Sequence, residues 1–249
     1  MMNPAEFANI AKAENDFWWY RGMRHIMFGL LDPVAAKKTF ARVLEAGCGT
    51  GHFAQALAGR YHWPMFPLDL GWEGLQYGKG LGIERLTQGD IQMLPYCEKS
   101  FDAVISMDVI VHLALGEEDK PMREFHRVLK PGGFLALRAS ALDVLRSHHS
   151  MFAMERQRFT RSRLVKLAQD AGFKVHRCTY ANSLLLPVAL FKFRVVEPLL
   201  GGKPESGVQP VAPWLDKLLF APLRAESKLL PAGVNLPLGQ SLILLAERQ

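Results

Sequence analysis

Short apolar segments alternate with helix-like stretches along most of the chain. The strand-like segments are rich in β-branched or aromatic residues and lie at 42–46, 65–69, 102–107, 134–139, 173–180 and 241–246. Between them, residues 53–60, 120–129 and 161–171 carry apolar side chains at helical spacing. Strands that alternate with helices are typical of a mostly parallel sheet covered on both faces. The pattern therefore predicts a doubly wound α/β fold.

Glycine and proline positions refine this pattern. Thr160 at the start of the third helical segment is a good N-cap, and Gly172 stands where a C′ glycine ends a helix. Pro64 and Pro67 weaken the second strand, because proline cannot donate to a ladder. The Lys-Pro-Gly-Gly run at 130–133 predicts a turn that neither a helix nor a strand crosses.

The composition favours one domain without disulfides. Of the 249 residues, 49% are hydrophobic, which is enough for a single large core. The three cysteines are odd in number and lack C-x-x-C spacing, which predicts free thiols and no metal site. Residues 184–191 form the longest strongly apolar stretch, far short of the roughly 20 residues that cross a bilayer. With no signal-peptide pattern visible, we expect a cytoplasmic protein.

Residues 45–51 read Glu-Ala-Gly-Cys-Gly-Thr-Gly and lead from the first predicted strand into a helix that opens near His52. The glycines permit tight backbone geometry and let a ligand approach the main chain beside the N–H groups of the helix start. The dinucleotide fingerprint G-x-G-x-x-G needs its third glycine one residue later, at His52. The spacing therefore disfavours a nicotinamide-dependent oxidoreductase, which stays open as an alternative.

With the acid at its head, this segment resembles the first motif, E-x-G-x-G-x-G, of class I S-adenosylmethionine-dependent methyltransferases. Asp69 follows about twenty residues later, where the family places an acid that holds both ribose hydroxyls. Residues 89–91, Gly-Asp-Ile, resemble the element that receives the adenine, and 101–106 with 127–133 resemble the fourth strand and the turn before the fifth. The resemblance implies the family's seven-stranded, mostly parallel Rossmann-like sheet, with S-adenosylmethionine as cofactor.

The resemblance also implies a set of cofactor contacts. A carboxylate that accepts two ribose hydroxyls makes a strong, directional contact. Asp69 and Asp90 could each be a cap or a turn former instead, so the assignment depends on all four segments occurring in order. The residues predicted to bind the cofactor are Trp19, Arg24, Glu45, Ala46, Gly47, Cys48, Gly49, Gly51, Asp69, Leu70, Asp90, Ile91 and Met107.

An aromatic and basic segment precedes the core. Residues 14–24 resemble the E-x-x-H-F-W-F-x-x-R opening of a bacterial type 11/12-like subgroup, in which this segment caps the cofactor cleft. Phe17 stands where that pattern has His, and Arg21 and Arg24 are alternatives for the cofactor carboxylate. Packing of the aromatic side chains in the core is the competing interpretation.

Weaker matches extend the resemblance over nearly the whole chain, at 146–149, 158–160 and 236–241. Directly after the first of these regions Ser150 replaces an expected Asp. We expect a single domain of residues 1–249. It divides into an N-terminal cap (1–40), a cofactor-binding core (41–181), a helical insertion or lid (182–238) and the last strand (239–249).

The acceptor side is less well marked. His112 follows the fourth strand at the carboxyl end of the sheet, where ligands bind in open α/β folds. If the acceptor is a hydroxyl, His112 is the catalytic candidate for a general base, with a packing role as the alternative and His148 and His149 as the next candidates.

Residues 123–177 carry nine Arg and three Lys against four acids. Such a sector suits an anionic acceptor or a charged membrane surface, but it is also common on solvated helix faces.

The insertion carries too many apolar residues for a solvated loop. We expect them to be buried, either extending the core or lining an apolar acceptor pocket whose mouth is basic through Lys192 and Arg194.

No N/D-P-P-Y/F sequence follows the fourth strand, which disfavours a nucleic-acid substrate. The expected partner is a small-molecule or amphiphilic acceptor, with an anionic head and peripheral membrane contact as options. A non-catalytic S-adenosylmethionine sensor is the alternative to methyl transfer.

Overall fold

A seven-stranded sheet forms the centre of the protein. The computed structural model describes residues 2–201 and 203–249. Its strands are β1 (Val43–Ala46), β2 (Met65–Asp69), β3 (Thr87–Gln88), β4 (Phe101–Met107), β5 (Leu129–Ser140), β6 (Phe173–Ala181) and β7 (Ser241–Arg248). The strand order is β3-β2-β1-β4-β5-β7-β6, in which β7 runs antiparallel to both neighbours and the other pairs are parallel. The predicted seven-stranded, mostly parallel α/β fold is confirmed.

Helices cover both faces of this sheet. They are α1 (Pro4–Ala13), α2 (Trp18–Ala35), α3 (His52–Tyr61), α4 (Trp72–Gly80), α5 (Asp119–Val128), α6 (His148–Phe152), α7 (Arg161–Asp170), α8 (Leu186–Phe191), α9 (Glu197–Leu200) and α10 (Pro213–Leu229). A π-helical turn, Lys192–Val196, joins α8 to α9 without a break. The helices α1 and α2 precede the first strand, and α8 to α10 lie between β6 and β7, where the sequence predicts a cap and an insertion.

The hydrophobic core has two parts, one on each face of the sheet, because successive strand side chains point to opposite faces. On one face, α5 and α7 bury Met122, Phe125 and Leu164 against β4 and β5. On the other, α2, α3 and α10 supply Met23, Leu57 and Leu223. This second cluster unites the cap, the core and the insertion in one apolar layer.

The prediction that no strand crosses residues 130–133 is wrong, because β5 begins at Leu129 and runs through this segment. Pairing with β4 passes from Phe101↔Leu129 to Ala103↔Phe134, so the extra residues form a bulge. Gly132 absorbs the distortion at φ 72°, and Lys130 Nζ ties the bulge to Asp102 Oδ1 at 2.6 Å. The glycines thus bend the strand without ending it.

Other local predictions hold. Thr160 Oγ1 accepts the backbone N–H of Arg163 at 3.3 Å at the start of α7, and Gly172 beyond its end has φ 90°. Pro67 is tolerated in β2 because the edge of the strand beside it is open. The strand on that side, β3, pairs only with Leu68 and Asp69, and the sequence pattern did not predict it. The cysteines are free thiols, as predicted. In the described ranges, no helix combines the length and the apolar character needed to cross a membrane.

Candidate active site

The loop between β1 and α3 is shaped by three glycines in left-handed backbone. Gly47, Gly49 and Gly51 have φ of 84°, 56° and 78°, a region that strains residues with a Cβ. At Gly47 a Cβ would also lie 2.1 Å from Val109 Cγ2. At Gly49 the nearest atom to a Cβ would be Phe7 Cε1, at 4.0 Å. Space therefore remains in front of the middle glycine, where the backbone can meet a ligand.

Asp69 at the end of β2 is hydrogen-bonded to this loop. Its carboxylate accepts bonds from the backbone N–H groups of Gly49 and Gly71, both at 2.7 Å. Burial raises the pKa of Asp69, and these two amides oppose the rise. Each carboxylate oxygen keeps a second lone pair. The group can therefore accept a diol while it stays tied to the loop.

Two more carboxylates lie beside the loop. Glu45 is 2% exposed, and its Oε2 has no hydrogen-bond partner within residues 2–201 and 203–249. Burial, with the charges of Asp69 and Glu14, raises the pKa of Glu45 well above its ordinary value. Glu14, between α1 and α2, accepts the Thr50 hydroxyl at 2.6 Å, and burial raises its pKa to about 7. An unpaired buried acceptor among acids fits a ligand that brings a cationic donor.

The N-terminal helices close over the loop. Phe7 of α1 is buried and fills the space beside Gly71 and Gly74, where a Cβ would come within 2.5 and 2.6 Å of its ring. Both glycines are thus required by the close approach of the cap. The same ring lines the space in front of Gly49.

The two arginines of α2 have different neighbours. Arg24 donates from Nη1 to the Glu14 carbonyl at 3.1 Å and lies 3.3 Å from Nδ1 of His52, at the cleft. Arg21 instead pairs with Asp216 and stacks on Phe220 of α10, 4.5 Å from the ring centroid. Arg21 therefore joins two helices, and Arg24 is the one placed to meet a ligand.

A cavity of about 1040 Å³ opens at the carboxyl ends of β1, β2, β4 and β5. Most of the residues singled out from the sequence line it, namely Trp19, Arg24, Glu45, Gly47, Cys48, Gly49, Asp69, Leu70, Asp90, Ile91, Met107 and His112. Ala46 instead packs in the core, and Gly51 caps α3. The individual contacts to the cofactor stay predictions.

Arg138 of β5 lines the cavity beside the end of β4. It stands opposite Met107 in the strand register, and its Nη2 donates to Asp108. The Trp19 ring covers the guanidinium at 4.8 Å. The side chain is 8% exposed, and its Nε finds no hydrogen-bond partner in the described part of the chain. A buried guanidinium with an unused donor can bind a ligand oxygen.

His112 lies in the short helical turn after β4 and also lines the cavity. Its Nδ1 is 3.1 Å from the Met154 carbonyl, which can only accept, so Nδ1 carries the proton. Burial lowers the pKa of His112, which favours the neutral ring. Its Nε2 then holds a free lone pair, as a general base requires.

The insertion forms the apolar wall of the cavity through Leu185, Val188, Ala189, Phe193 and Val196. The expectation that its apolar side chains are buried is nevertheless wrong for a large group. At least half of the side chain is exposed at Leu184, Val188, Phe191, Leu199, Leu200, Trp214 and Leu218. The reason is geometric, because α8, α9 and α10 each pack by one face, against the cavity or against α2, and leave another face open.

Comparisons with known proteins agree with this geometry. Residues 44–137 match the family described as "Methyltransferase domain". The malonyl-[acyl-carrier protein] O-methyltransferase of Methylovorus sp. is 30% identical over 69% of this chain and 60% of that protein. The protein of the same name from Erwinia pyrifoliae is 38% identical over 37% of this chain and 34% of its own. The fatty-acid O-methyltransferase of Mycolicibacterium smegmatis is 39% identical over 37% of this chain and 35% of its own.

The chain carries a class I S-adenosylmethionine-dependent methyltransferase domain. It spans between 34% and 60% of the length of these curated relatives. A solved S-adenosylmethionine-dependent methyltransferase of Thermotoga maritima shares the fold, with a TM-score of 0.57 at 17% identity over 98% of this chain and 99% of that one.

S-adenosylmethionine is the cofactor of this class, and the residues around the cavity fit it. A diol acceptor stands at Asp69, an unpaired acceptor for an ammonium at Glu45, and open backbone at Gly49. Sequence reasoning missed Phe7 and Arg138, and it placed Glu14 in the cap segment without giving it a role. For Arg138 a signal was present, since it is the one charged residue within the apolar run 134–139.

The basic sector at residues 123–177 is mostly structural. Arg127 pairs with Glu124 at 2.7 Å, Arg163 pairs with Glu118, and Arg146 donates to the Arg156 carbonyl at 2.9 Å. The sector reaches the cavity through Arg138 and Arg158. Of the two basic residues expected at the mouth, Lys192 lines the cavity, whereas Arg194 donates to the Val144 carbonyl at 2.6 Å.

Proposed function

We propose that this methyltransferase esterifies the carboxylate of an acyl chain, an amphiphilic acceptor with an apolar body and an anionic head. The observation that carries the proposal is the single cavity in which the glycine loop, the buried Arg138 and the apolar wall of the insertion face one space. Pockets of this kind bind a ligand by apolar contact and orient it through a few polar groups.

The relatives support an acyl acceptor. Two of them are named for malonyl-[acyl-carrier protein] and one for a fatty acid, and all three are O-methyltransferases. A fatty acid presents a carboxylate at the end of an apolar chain. The same combination matches the basic and the apolar side chains that line this cavity.

On the cofactor side, we assign Asp69 to the ribose hydroxyls of S-adenosylmethionine. Glu45 is assigned to the ammonium group of its methionine part and Arg24 to the carboxylate of that part. The cofactor supplies a methyl group already activated on a sulfonium. The glycine loop fixes the backbone around it, and the cap helix α1 excludes water through Phe7. The protein's task is alignment and desolvation.

On the acceptor side, Arg138 would hold the carboxylate through its unused donors. Asp108 and the Trp19 ring keep the guanidinium in place. Asp108 also offsets part of its charge, so the interaction rests chiefly on hydrogen bonds, with Lys192 adding charge nearby. Arg158 lines the same cavity but is paired with Glu155 at 2.8 Å. A carboxylate oxygen attacks the methyl carbon while the carbon–sulfur bond breaks. The anion and the sulfonium give a neutral ester and a thioether, so no proton has to move.

The test is methyl-ester formation from fatty acids of different chain length, detected by mass spectrometry with isotopically labelled S-adenosylmethionine. We expect Arg138→Gln to raise the KM for the fatty acid by about tenfold or more and to leave the cofactor Kd unchanged. Because this change leaves Asp108 unpaired, the double variant Asp108→Asn/Arg138→Gln guards against a loss of folding. Arg146→Gln, on a basic residue that bonds backbone carbonyls, is the matched control.

Calorimetry with S-adenosylmethionine, S-adenosylhomocysteine and NAD completes the test. Cofactor binding without any methylated product, even from a cell extract, would indicate a sensor in place of an enzyme. Tight binding of NAD alone would indicate the oxidoreductase that the glycine spacing disfavours. Methylation of another acceptor with full activity in Arg138→Gln would overturn the acyl-carboxylate assignment.

A further inference from the structure

One face of the α8–α9 helix is apolar and open to solvent. We call it the lid face and define it by Leu184, Val188, Phe191, Val195, Leu199 and Leu200, of which Val188 and Leu200 stand at its edge and also line the cavity. These side chains are 50%, 55%, 61%, 39%, 79% and 80% exposed. Their spacing of four, three, four and four residues from 184 to 199 keeps them on one side of the helix. Leu185 and Ala189, on the opposite side, are each 7% exposed and line the cavity.

The charges around the lid face are mostly basic. Residues 184–204 contain Lys192, Arg194 and Lys203 and a single acid, Glu197. Glu197 faces inward, where it lines the cavity and accepts the His148 backbone N–H at 3.0 Å. Lys192 also lines the cavity and Arg194 donates to the Val144 carbonyl, but both side chains, like that of Lys203, are exposed. The solvent side therefore combines large apolar side chains with positive charge.

We propose that the lid face docks on an anionic lipid bilayer, with its apolar side chains in the headgroup region and the helix lying in the membrane plane. Amphipathic helices with exposed Leu and Phe beside Lys and Arg bind in this manner. A second copy of the chain fits less well, because a two-fold contact would bring the basic residues of the two lid faces together.

The position of the lid face gives the docking a purpose. The same helix forms one wall of the cavity, so the surface proposed to contact lipid and the surface that lines the cavity are opposite sides of one helix. An amphiphile could pass from the bilayer into the cavity without crossing bulk water. The docking itself does not depend on the reaction, and vesicle binding tests it separately from the proposed function.

The experiment is cosedimentation of the full chain with vesicles of phosphatidylcholine, alone or with 30 mol% phosphatidylglycerol. We expect binding to the anionic vesicles, and weaker binding in 0.5 M NaCl because salt screens the charge attraction. Phe191→Gln/Leu199→Gln should reduce the partition coefficient at least tenfold. Neither residue lines the cavity, so methylation of a short, soluble acceptor should be unchanged.

The matched control is Met93→Gln/Leu115→Gln, since both side chains are 78% exposed and lie outside the lid face. It should bind vesicles as the wild type does. Lys203→Glu should weaken binding to the anionic vesicles about fivefold or more, whereas Lys79→Glu, also exposed, should not.

Equal losses in the lid-face and control pairs would overturn the proposal, as would no binding to either vesicle. Light scattering provides a further arm. A wild-type dimer that becomes monomeric in Phe191→Gln/Leu199→Gln, with no vesicle binding, would assign the lid face to a second copy. Capture of an acidic acyl carrier protein by the lid face without vesicle binding would assign it to a protein partner.

Discussion

Asp69 holds the glycine loop in shape through two backbone amides, which gives one side chain both a structural and a binding role. We expect Asp69→Ala to weaken S-adenosylmethionine binding by roughly 1.5–3 kcal/mol, as for hydrogen bonds to a charged group. Titration calorimetry measures the change. Asp69→Asn, which can keep one amide bond, should lose less. Affinity within twofold of wild type in Asp69→Ala would contradict the role.

Glu14 makes folding depend on pH. Because burial raises its folded-state pKa from 4.5 to about 7, the folded protein binds the proton more tightly than the unfolded chain does. This contribution to stability is complete below about pH 4.5 and is lost as the pH rises through about 7. Glu14→Gln should therefore flatten the stability profile over this window and stabilise the protein above it, by up to about 3 kcal/mol.

Urea denaturation at several pH values measures this effect. Glu98→Gln is the control, because the Glu98 side chain is 69% exposed. A Glu14→Gln profile parallel to the wild type would show that Glu14 does not titrate in this range.

The effect of replacing His112 distinguishes a carboxylate acceptor from a hydroxyl acceptor. With an acyl carboxylate no proton leaves the nucleophile, so His112→Ala should keep turnover within about threefold and leave the cofactor Kd unchanged. A general base usually contributes about 10²-fold or more. A loss of that size, together with a changed pH profile of kcat, would place a base in the reaction and point to a hydroxyl acceptor.

At the scale of single elements, α8 decides how much room an acceptor has. Ala189 is buried and faces the cavity, whereas its neighbour Leu190 does not line it. We expect Ala189→Phe to raise the KM for long acyl chains more than for short ones and to leave cofactor affinity near wild type. Leu190→Phe is the matched control. A chain-length profile unchanged by Ala189→Phe would remove α8 from the acceptor site.

At the scale of the whole molecule, the cap and the insertion are held together by close packing of α2 on α10. A Cβ on Gly22 would lie 2.2 Å from Leu223 Cδ1, and Leu223 is fully buried. Gly22→Ala should destabilise the fold by about 1–3 kcal/mol through overpacking, and Leu223→Ala by about 2–5 kcal/mol through a cavity.

The double variant should cost less than the two changes added, because the smaller residue at 223 makes room for the new methyl group. Chemical denaturation of the four proteins measures the coupling. Gly59→Ala, where a Cβ meets nothing within 4 Å, should not destabilise. Additive losses in the Gly22 and Leu223 pair would contradict direct contact.

Periodicity and turn residues were sufficient to predict six of the seven strands and the loop at 45–51, because these depend on local patterns, whereas the number of strands came from the family resemblance. The two-residue strand β3 carries no periodic signal, and its place is set by pairing with Leu68 and Asp69. The ties of Glu14 to Thr50 and of Arg138 to Asp108 join residues 36 and 30 positions apart, which spacing rules do not reach. The exposure of the lid face was not predicted for another reason. An apolar residue is buried only where another layer of the protein covers it, and the sequence does not show whether such a layer exists.

The place of β7 between β5 and β6 governs the order in which the molecule can be made. During synthesis β5 and β6 emerge first, and neither can complete its ladder until residues 241–248 follow. At about 5–20 residues per second, the free edge of β5 waits roughly 5–20 s for its partner. Unpaired strand edges invite association with other chains. A nascent chain of this kind is therefore most exposed to aggregation just before residues 241–248 emerge, and a ribosome that stalls within the insertion would leave both edges open.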